Sequence, residues 1–330
     1  MTRRVLVTGA SGLVGSHLAE LLNQSGEAKI RLLARPTSNL RWVEGIDYEK
    51  RIGDVIQPPA ELLPAVEGVE TVYHVAGCTK SLRDRTFFEV NAQGTENLLL
   101  ACATLRTPPR RFVLVSSAGA AGPSQTDDPL TEDVPPRPLT AYGRSKLAAE
   151  KIAKKYMDRL SIAVLRPGAI YGPRDYELLP AFKAVKSGLA ARLGVSHRRF
   201  NMCHVRDVAK AVMLAGSVEA AGSEIFLVGG QNTDQMELVK AIARAMNNKR
   251  VWSPPIPKFL IYFAALLSSG VGQITRKPRI FTWENAPRLL AKNWTMDISK
   301  ARKILGYQPD YDLDSGVIDA IDWYRKHDML

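Results

Sequence analysis

The sequence has 330 residues, 45% hydrophobic and 24% charged, with a net charge of +12. This composition excludes a disordered or collagen-like chain and a polytopic membrane protein, and the length suffices for a core that needs no disulfide or structural metal. The three cysteines, Cys78, Cys102 and Cys203, are odd in number and include no close pair, which argues against a disulfide framework or a cysteine zinc site. The chain opens Met-Thr-Arg-Arg and runs at once into an apolar strand, which reads as no signal peptide and a reducing, cytoplasmic setting. Short apolar runs at residues 5–8, 30–34, 71–75, 112–116 and 162–165 lack polar alternation, as strands buried on both faces do. Helical patterns at 12–23, 87–105 and 141–156 fall between them. The alternation predicts an α/β fold, a Rossmann-type doubly wound parallel sheet with helices on both faces. Residues 1–172 are expected to form this Rossmann-type domain, with one or two segments at about 200–230 returning to it, including a strand at 224–228. Residues 173–330 read as a smaller, mostly helical substrate-binding part over the carboxyl ends of the strands.

The first strand ends in a glycine-rich turn, Gly9-Ala-Ser-Gly12-Leu-Val-Gly15, that opens a helix. Such glycines permit the tight turn, close approach of backbone to a pyrophosphate, and close helix–strand packing, while the free amides and helix dipole favour the anion. Gly9, Ser11, Gly12, Leu13, Val14 and Gly15 are therefore candidate cofactor contacts. About 20 residues beyond the last glycine, an acid would read the ribose of NAD. This chain has Arg35 there, followed by Ser38 and Asn39, with no acid nearby in sequence. An arginine suits a 2′-phosphate, so NADP(H) is the expected cofactor, with NAD(H) as the alternative.

Further along, Tyr142 and Lys146 stand at i and i+4 of a predicted helix and share a face. A free tyrosine titrates near 10, and each tenfold step toward neutrality requires about 1.4 kcal/mol. A nearby ammonium supplies a shift of that sign. Twenty-five residues earlier, a strand ends in Ser116-Ser117, where a catalytic hydroxyl is expected in an open α/β sheet.

With these motifs assembled, the chain resembles the extended short-chain dehydrogenase/reductase family, the NAD(P)-dependent epimerase/dehydratase superfamily. The resemblance rests on Thr8–Gly15, Gly53-Asp54-Val55, His74-Val-Ala-Gly77, Val90-Asn91 through Asn97, Ser116-Ser117, Tyr142-x-x-x-Lys146 and Arg166-Pro-Gly through Gly172. It is specific to about residue 210 and looser beyond. The distal segment 290–307 looks like the tail of the 3β-hydroxysteroid dehydrogenase-like and epimerase-like branches. The resemblance implies that Tyr142 is the general acid/base, that Lys146 binds the nicotinamide ribose and lowers the Tyr142 pKa, and that Ser117 hydrogen-bonds the substrate oxygen. It places Asp54 and Val55 beside adenine, and Ala76, Gly77 and Ser116 along the cofactor channel. Pro167 and Gly168 approach the nicotinamide, and Asn91 pins backbone. A homodimer is implied as well.

The C-terminal part carries the remaining signals. The run 258–267 is apolar almost all round. Its nine apolar residues are too few to cross a bilayer, so the expected outcome is a helix buried in the small domain or at a dimer contact. The alternative is an interfacial helix or substrate lid, with peripheral membrane contact through 258–277. Between residues 248 and 303 eleven basic residues face only Glu284 and Asp297, a patch that attracts anions. No aromatic-interleaved basic motif accompanies it, so no nucleic-acid partner is expected. Arg198 and Arg199 read as a solvated face, with contact to a substrate phosphate as the alternative. The five histidines are scattered without ligand spacing, and no metal is expected. His204 reads as structural or substrate-adjacent. The functional expectation is an NADP(H)-dependent oxidoreductase interconverting a ketone and a secondary alcohol on a hydrophobic, sterol-like substrate. A nucleotide-sugar epimerase/dehydratase with tightly bound NAD is the runner-up, and a non-catalytic redox sensor is the reading outside enzymes.

Overall fold

The computed structural model describes residues 3–194, 197–248, 250–279 and 281–330; Lys249 of the basic segment lies outside them. At its centre is a seven-stranded sheet, parallel throughout. From edge to edge its strands are Ile225–Val228, Ile162–Pro167, Arg111–Val115, Thr71–His74, Arg3–Thr8, Ala28–Ala34 and Tyr48–Ile52. Apolar runs without alternation form these strands because both faces are covered. Val5, Val7, Val113, Val115, Ala163 and Leu165 enter one core with Leu18, Leu22, Val208 and Val212 of helices Leu13–Ser25 and Val205–Ser217. Their chain neighbours Leu6, Phe112, Leu114, Ile162 and Val164 point the other way. They enter a second core with Leu98 and Leu99 of Gly94–Thr104 and with Ala149 and Ala153 of Ala141–Lys154. Each fully buried Val, Leu, Ile or Phe contributes about 1.5–3 kcal/mol.

Tyr48–Ile52 was not expected as a strand. Its sequence, Tyr-Glu-Lys-Arg-Ile, is polar because it forms the sheet edge, where charged residues are tolerated and discourage further pairing. The helix expected at 87–105 is also not regular. It runs from Asp84 to Thr104 but contains a π turn, Glu89–Gln93, in which Gly94 N donates to Glu89 O.

A third core gathers Phe182, Val185, Leu238, Ile242, Val317, Ile321 and Tyr324 from helices Leu179–Lys186, Gln235–Ala245 and Leu313–Lys326. A small sheet built on Arg199–His204 joins this part to the rest. The apolar run beginning at Lys258 departs from the expectation of burial within the chain. It forms an 18-residue helix, Lys258–Thr275, in which the buried residues are Ile261, Ala265 and Gly272. Only one stripe of it meets protein, so the apolar residues on its other faces stay exposed.

Strand order reverses between Arg3–Thr8 and Thr71–His74. Loops leaving the carboxyl ends of these neighbours diverge and open a crevice, and the C-terminal part lies over it.

Candidate active site

The floor of the crevice is backbone. Gly9 has φ +77°, and a Cβ there would lie 2.6 Å from Ala76 N; a Cβ on Gly15 would lie 2.2 Å from Gly9 O. Only glycine fits at either position. Gly12 N donates to Gly9 O at 2.9 Å, closing the turn. Gly12 is the N-cap of Leu13–Ser25 and supplies no side-chain cap, so the first amides of that helix face the cleft at its positive end.

A buried chain of hydrogen bonds fixes this floor. Ala76 N donates to Thr8 Oγ1 (3.1 Å), which lies 2.8 Å from His74 Nδ1; His74 Nε2 lies 3.1 Å from Thr95 Oγ1, which donates to Asn91 O at 2.6 Å. Burial, aided by the Lys146 charge, pulls the His74 pKa down to about 3, so the ring is neutral. Asn91 holds the neighbouring loop: its Oδ1 accepts from Cys78 N, and its Nδ2 donates to Cys78 O and to Ser145 Oγ.

Thr140 caps the next helix, its Oγ1 accepting from Gly143 N at 3.1 Å, and so sets Tyr142 in the first turn and Lys146 one turn later. Gly143 backs onto the Ser117 turn; a Cβ there would lie 2.3 Å from Gly119 O. Ser117 caps Ala118–Ala121, accepting from Gly119 N at 3.0 Å, and stands beside the Tyr142 ring in the cleft.

Burial raises the Tyr142 pKa above its ordinary value, and the Ser117 hydroxyl offsets part of the rise. Lys146 Nζ donates to Val115 O at 2.8 Å, and burial pulls the ammonium down to about 8. Ser116 lines the cleft, and its hydroxyl donates to Glu150. Glu150 in turn holds Arg166 in a buried bidentate pair, Nε–Oε1 3.0 Å and Nη2–Oε2 2.6 Å.

Gly9, Ser11, Gly12, Leu13, Val14, Gly15, Gly77, Ser116, Ser117, Tyr142, Lys146, Pro167 and Gly168 all line one cleft of about 1220 Å³. Arg35, Asp54, Val55 and Ala76 stand outside that lining. Val55 is buried beneath Gly94, and its carbonyl accepts from Asn97 Nδ2. Arg35 is largely exposed, and its Nε lies 4.0 Å from Asp54 Oδ2. The acid absent from its sequence neighbourhood is thus supplied by the turn after the next strand. Arg41 and Trp42 line the cleft instead. Arg41 stacks over Trp42 at 4.3 Å and donates to Tyr176 Oη at 2.7 Å.

The cleft continues into a chamber walled by Leu178, Ala181, Leu193, Phe200, Leu238 and Val239. Arg198 is here, 7% exposed rather than solvated as expected. Its Nη1 donates to Leu289 O at 2.9 Å, while Nε and Nη2 have no partner among the described residues. Arg288 also lines the cleft, and its Nε has no partner among the described residues. Arg199 does face outward, at Asp127. His204 is buried away from the cleft lining, stacked on Tyr311 and 3.2 Å from Asp319 Oδ2. Sequence reasoning missed Glu150, Arg288 and the role of Gly143. The only local signal was the small residue between Tyr142 and Lys146.

Fold and cleft together are those of a dinucleotide-binding enzyme of the extended short-chain dehydrogenase/reductase type. The chain belongs to the NAD dependent epimerase/dehydratase family, whose pattern matches residues 5–229. Among similar proteins, a ceramide reductase of Caulobacter vibrioides is 30% identical over 328 residues, covering 99% of this chain and 96% of the relative. The sterol demethylase protein B of Methylococcus capsulatus is 28% identical over 334 residues, covering 98% and 99%. This agrees with the resemblance to the 3β-hydroxysteroid dehydrogenase-like branch. The structure of MoeE5 in complex with UDP-glucose and NAD superposes with a TM-score of 0.77 at 25% identity, covering 98% of this chain and 99% of that one.

Proposed function

We propose that this protein is an NADP(H)-dependent oxidoreductase that interconverts a ketone and a secondary alcohol on an apolar, sterol-like substrate. The observation that carries this reading is one continuous cleft in which Ser117, Tyr142 and Lys146 stand between the glycine-rich turn and an apolar chamber. A dinucleotide fits the first end: the cradle at Gly9 and Gly15 is one that any Cβ would fill, and the helix behind it is uncapped. Gly9–Gly15 would hold the pyrophosphate, Asp54 and Val55 the adenine edge, and Arg35 the 2′-phosphate. Lys146 would hold the nicotinamide ribose beside Gly77, and Pro167 and Gly168 the ring. NAD(H) would use the same cradle without the Arg35 contact. When bound, the cofactor supplies the hydride.

The chain's own residues handle the proton. Burial keeps a proton on Tyr142 Oη at neutral pH, the state from which reduction starts. A carbonyl oxygen hydrogen-bonded by Ser117 Oγ and Tyr142 Oη takes that proton as negative charge develops on it; in oxidation Tyr142 Oη receives it back. The Lys146 ammonium, released from Val115 O toward the ribose and the phenol, stabilises the tyrosinate left behind. The ceramide reductase and sterol demethylase among the relatives support an apolar substrate.

The test is the ratio of NADPH to NADH dissociation constants, measured by fluorescence titration of cofactor-stripped protein. A preference for NADPH of roughly tenfold or more is expected, as one charge-assisted contact supplies, and it should vanish in Arg35→Ala. Equal affinities, or a preference that survives Arg35→Ala, would reject the assignment of Arg35.

A second reading, a nucleotide-sugar epimerase or dehydratase, draws support from Arg198 and Arg288, whose unpartnered nitrogens in the chamber suit a diphosphate. It predicts NAD that resists stripping and a uridine diphosphate that binds at micromolar levels. A non-catalytic redox sensor is favoured by no observation, since Ser117, Tyr142 and Lys146 converge on one cleft.

A further inference from the structure

We propose that the outer face of helix Lys258–Thr275 docks on an anionic bilayer surface, and that the chamber of the cleft opens there, so that an apolar substrate enters from lipid. The entry route rests on the oxidoreductase reading above; the docking does not.

The helix has two opposed faces. Ile261, Ala265 and Gly272 are buried against the protein, and Trp283 N donates to Ser269 Oγ at 3.0 Å. On the opposite side, at helical spacing, stand Phe259, Phe263, Leu267 and Ile274, exposed by 70%, 58%, 56% and 84%. A contiguous apolar row of this kind is uncommon on a soluble monomer and marks a contact surface. By length and composition this is the one helix among the described residues that could cross a membrane. At about 1.5 Å per residue it is close to a bilayer thickness. Its inner stripe, however, is packed on the body of the protein. The geometry is therefore that of a helix lying in the interface plane.

Charge selects the occupant. No acidic residue occurs between Glu237 and Glu284, a stretch that holds eight lysines and arginines. Among the described residues Arg250, Lys258, Arg276, Lys277 and Arg279 make no ion pair. A second copy of this chain, meeting the face by two-fold symmetry, would set cation against cation. Anionic headgroups complement it, at about 1 kcal/mol for each lysine or arginine near the surface.

The same helix borders the cleft. Leu266, Ser269 and Gln273, on the flank between the two faces, line it together with Gly272 of the inner face. A bilayer touching the outer row therefore lies at the rim of the chamber, and a substrate dissolved in lipid need not cross water to reach Tyr142.

The full chain would be floated with vesicles of phosphatidylcholine alone and of phosphatidylcholine with phosphatidylglycerol. Binding to the anionic vesicles is expected, weakened by salt. Phe263→Asp/Ile274→Asp should reduce it by roughly tenfold or more, with thermal midpoint and dinucleotide affinity unchanged. Wild-type protein that ignores anionic vesicles would overturn the docking, as would a double variant that floats like wild type. A wild-type dimer split by the same substitutions would overturn it too, since the face would then be a subunit contact. In the second arm, the double variant should lose turnover of a vesicle-dissolved ketone and keep turnover of a short water-soluble one. Equal turnover of both by variant and wild type would overturn the entry route. Vesicle binding without turnover of either ketone would remove the oxidoreductase reading and leave the docking in place.

Discussion

At the dinucleotide end of the cleft the buried polar groups answer one another within the protein, whereas at the other end several find no partner among the described residues. Thr8, His74, Thr95 and Asn91 form one chain of hydrogen bonds, and Ser116, Glu150 and Arg166 another, with only Arg166 Nη1 left over. Arg198, by contrast, is nearly as buried as Arg166 but among the described residues has two nitrogens without a partner and no ion pair. Satisfied networks rigidify, while unsatisfied ones hold free energy in reserve for whatever completes them. The first end is therefore complete within the protein, and the second is open to completion by a ligand.

Substitutions at four positions separate the two ends, in order of decreasing effect. Tyr142→Phe removes the proposed proton donor and should lower turnover by roughly 10²–10⁴-fold, with dinucleotide affinity retained. Wild-type-like steady-state rates would sink its assignment. Glu150→Ala strands the Arg166 charge in the satisfied region and should cost about 3–5 kcal/mol in urea unfolding, with much of it recovered by adding Arg166→Met. A cost under ~1 kcal/mol would mean that the first end is not held by this pair. Arg198→Met should have the opposite sign, stabilising the ligand-free protein by about 1–3 kcal/mol, because a buried, half-unpartnered cation is replaced by an apolar side chain of similar length. Destabilisation instead would show that the substrate end is as complete as the other.

The smallest effect is a slope. Burial places Lys146 at about 8 in the folded protein, below the ordinary lysine value. Between about pH 8 and the unfolded pKa near 10.4 the unfolded chain binds more protons, so this residue's contribution makes stability rise with pH. Wild type should therefore gain on Lys146→Met by about 1 kcal/mol per pH unit across that window. Parallel pH profiles for the two proteins would contradict it.

What was legible in the sequence follows the same division. The glycine-rich turn, the Tyr142/Lys146 spacing and six of the seven strands are local patterns, and local physics settles them. Tyr48–Ile52 escaped because an edge strand need not be apolar. Of the two adjacent serines the family resemblance singled out Ser117, but the bond from Ser116 to Glu150, 34 residues away, was not legible in the sequence. Arg198 looked solvated because its burial is produced by residues as distant as Leu289. The apolar helix looked like core because composition cannot say which elements remain to cover it. The acid beside Arg35 comes from a neighbouring strand's turn, a contact made by sheet order and not by chain proximity.

The π turn at Glu89–Gln93 gives one helix two phases. Asn91 addresses the Cys78 loop and Ser145, while a turn later Thr95 addresses His74 and Asn97 addresses Val55 O. An α-helix advances about 100° per residue, so the extra residue of a wide turn works as a fixed rotational offset between the two groups. Deleting any single residue from 89 to 93 would leave the helix free to become regular and shorter by one residue. Asn91 and Thr95 would then no longer be able to meet their partners together. The loop above the cleft and the floor beneath it are thus synchronised by an irregularity, and straightening the helix would uncouple them.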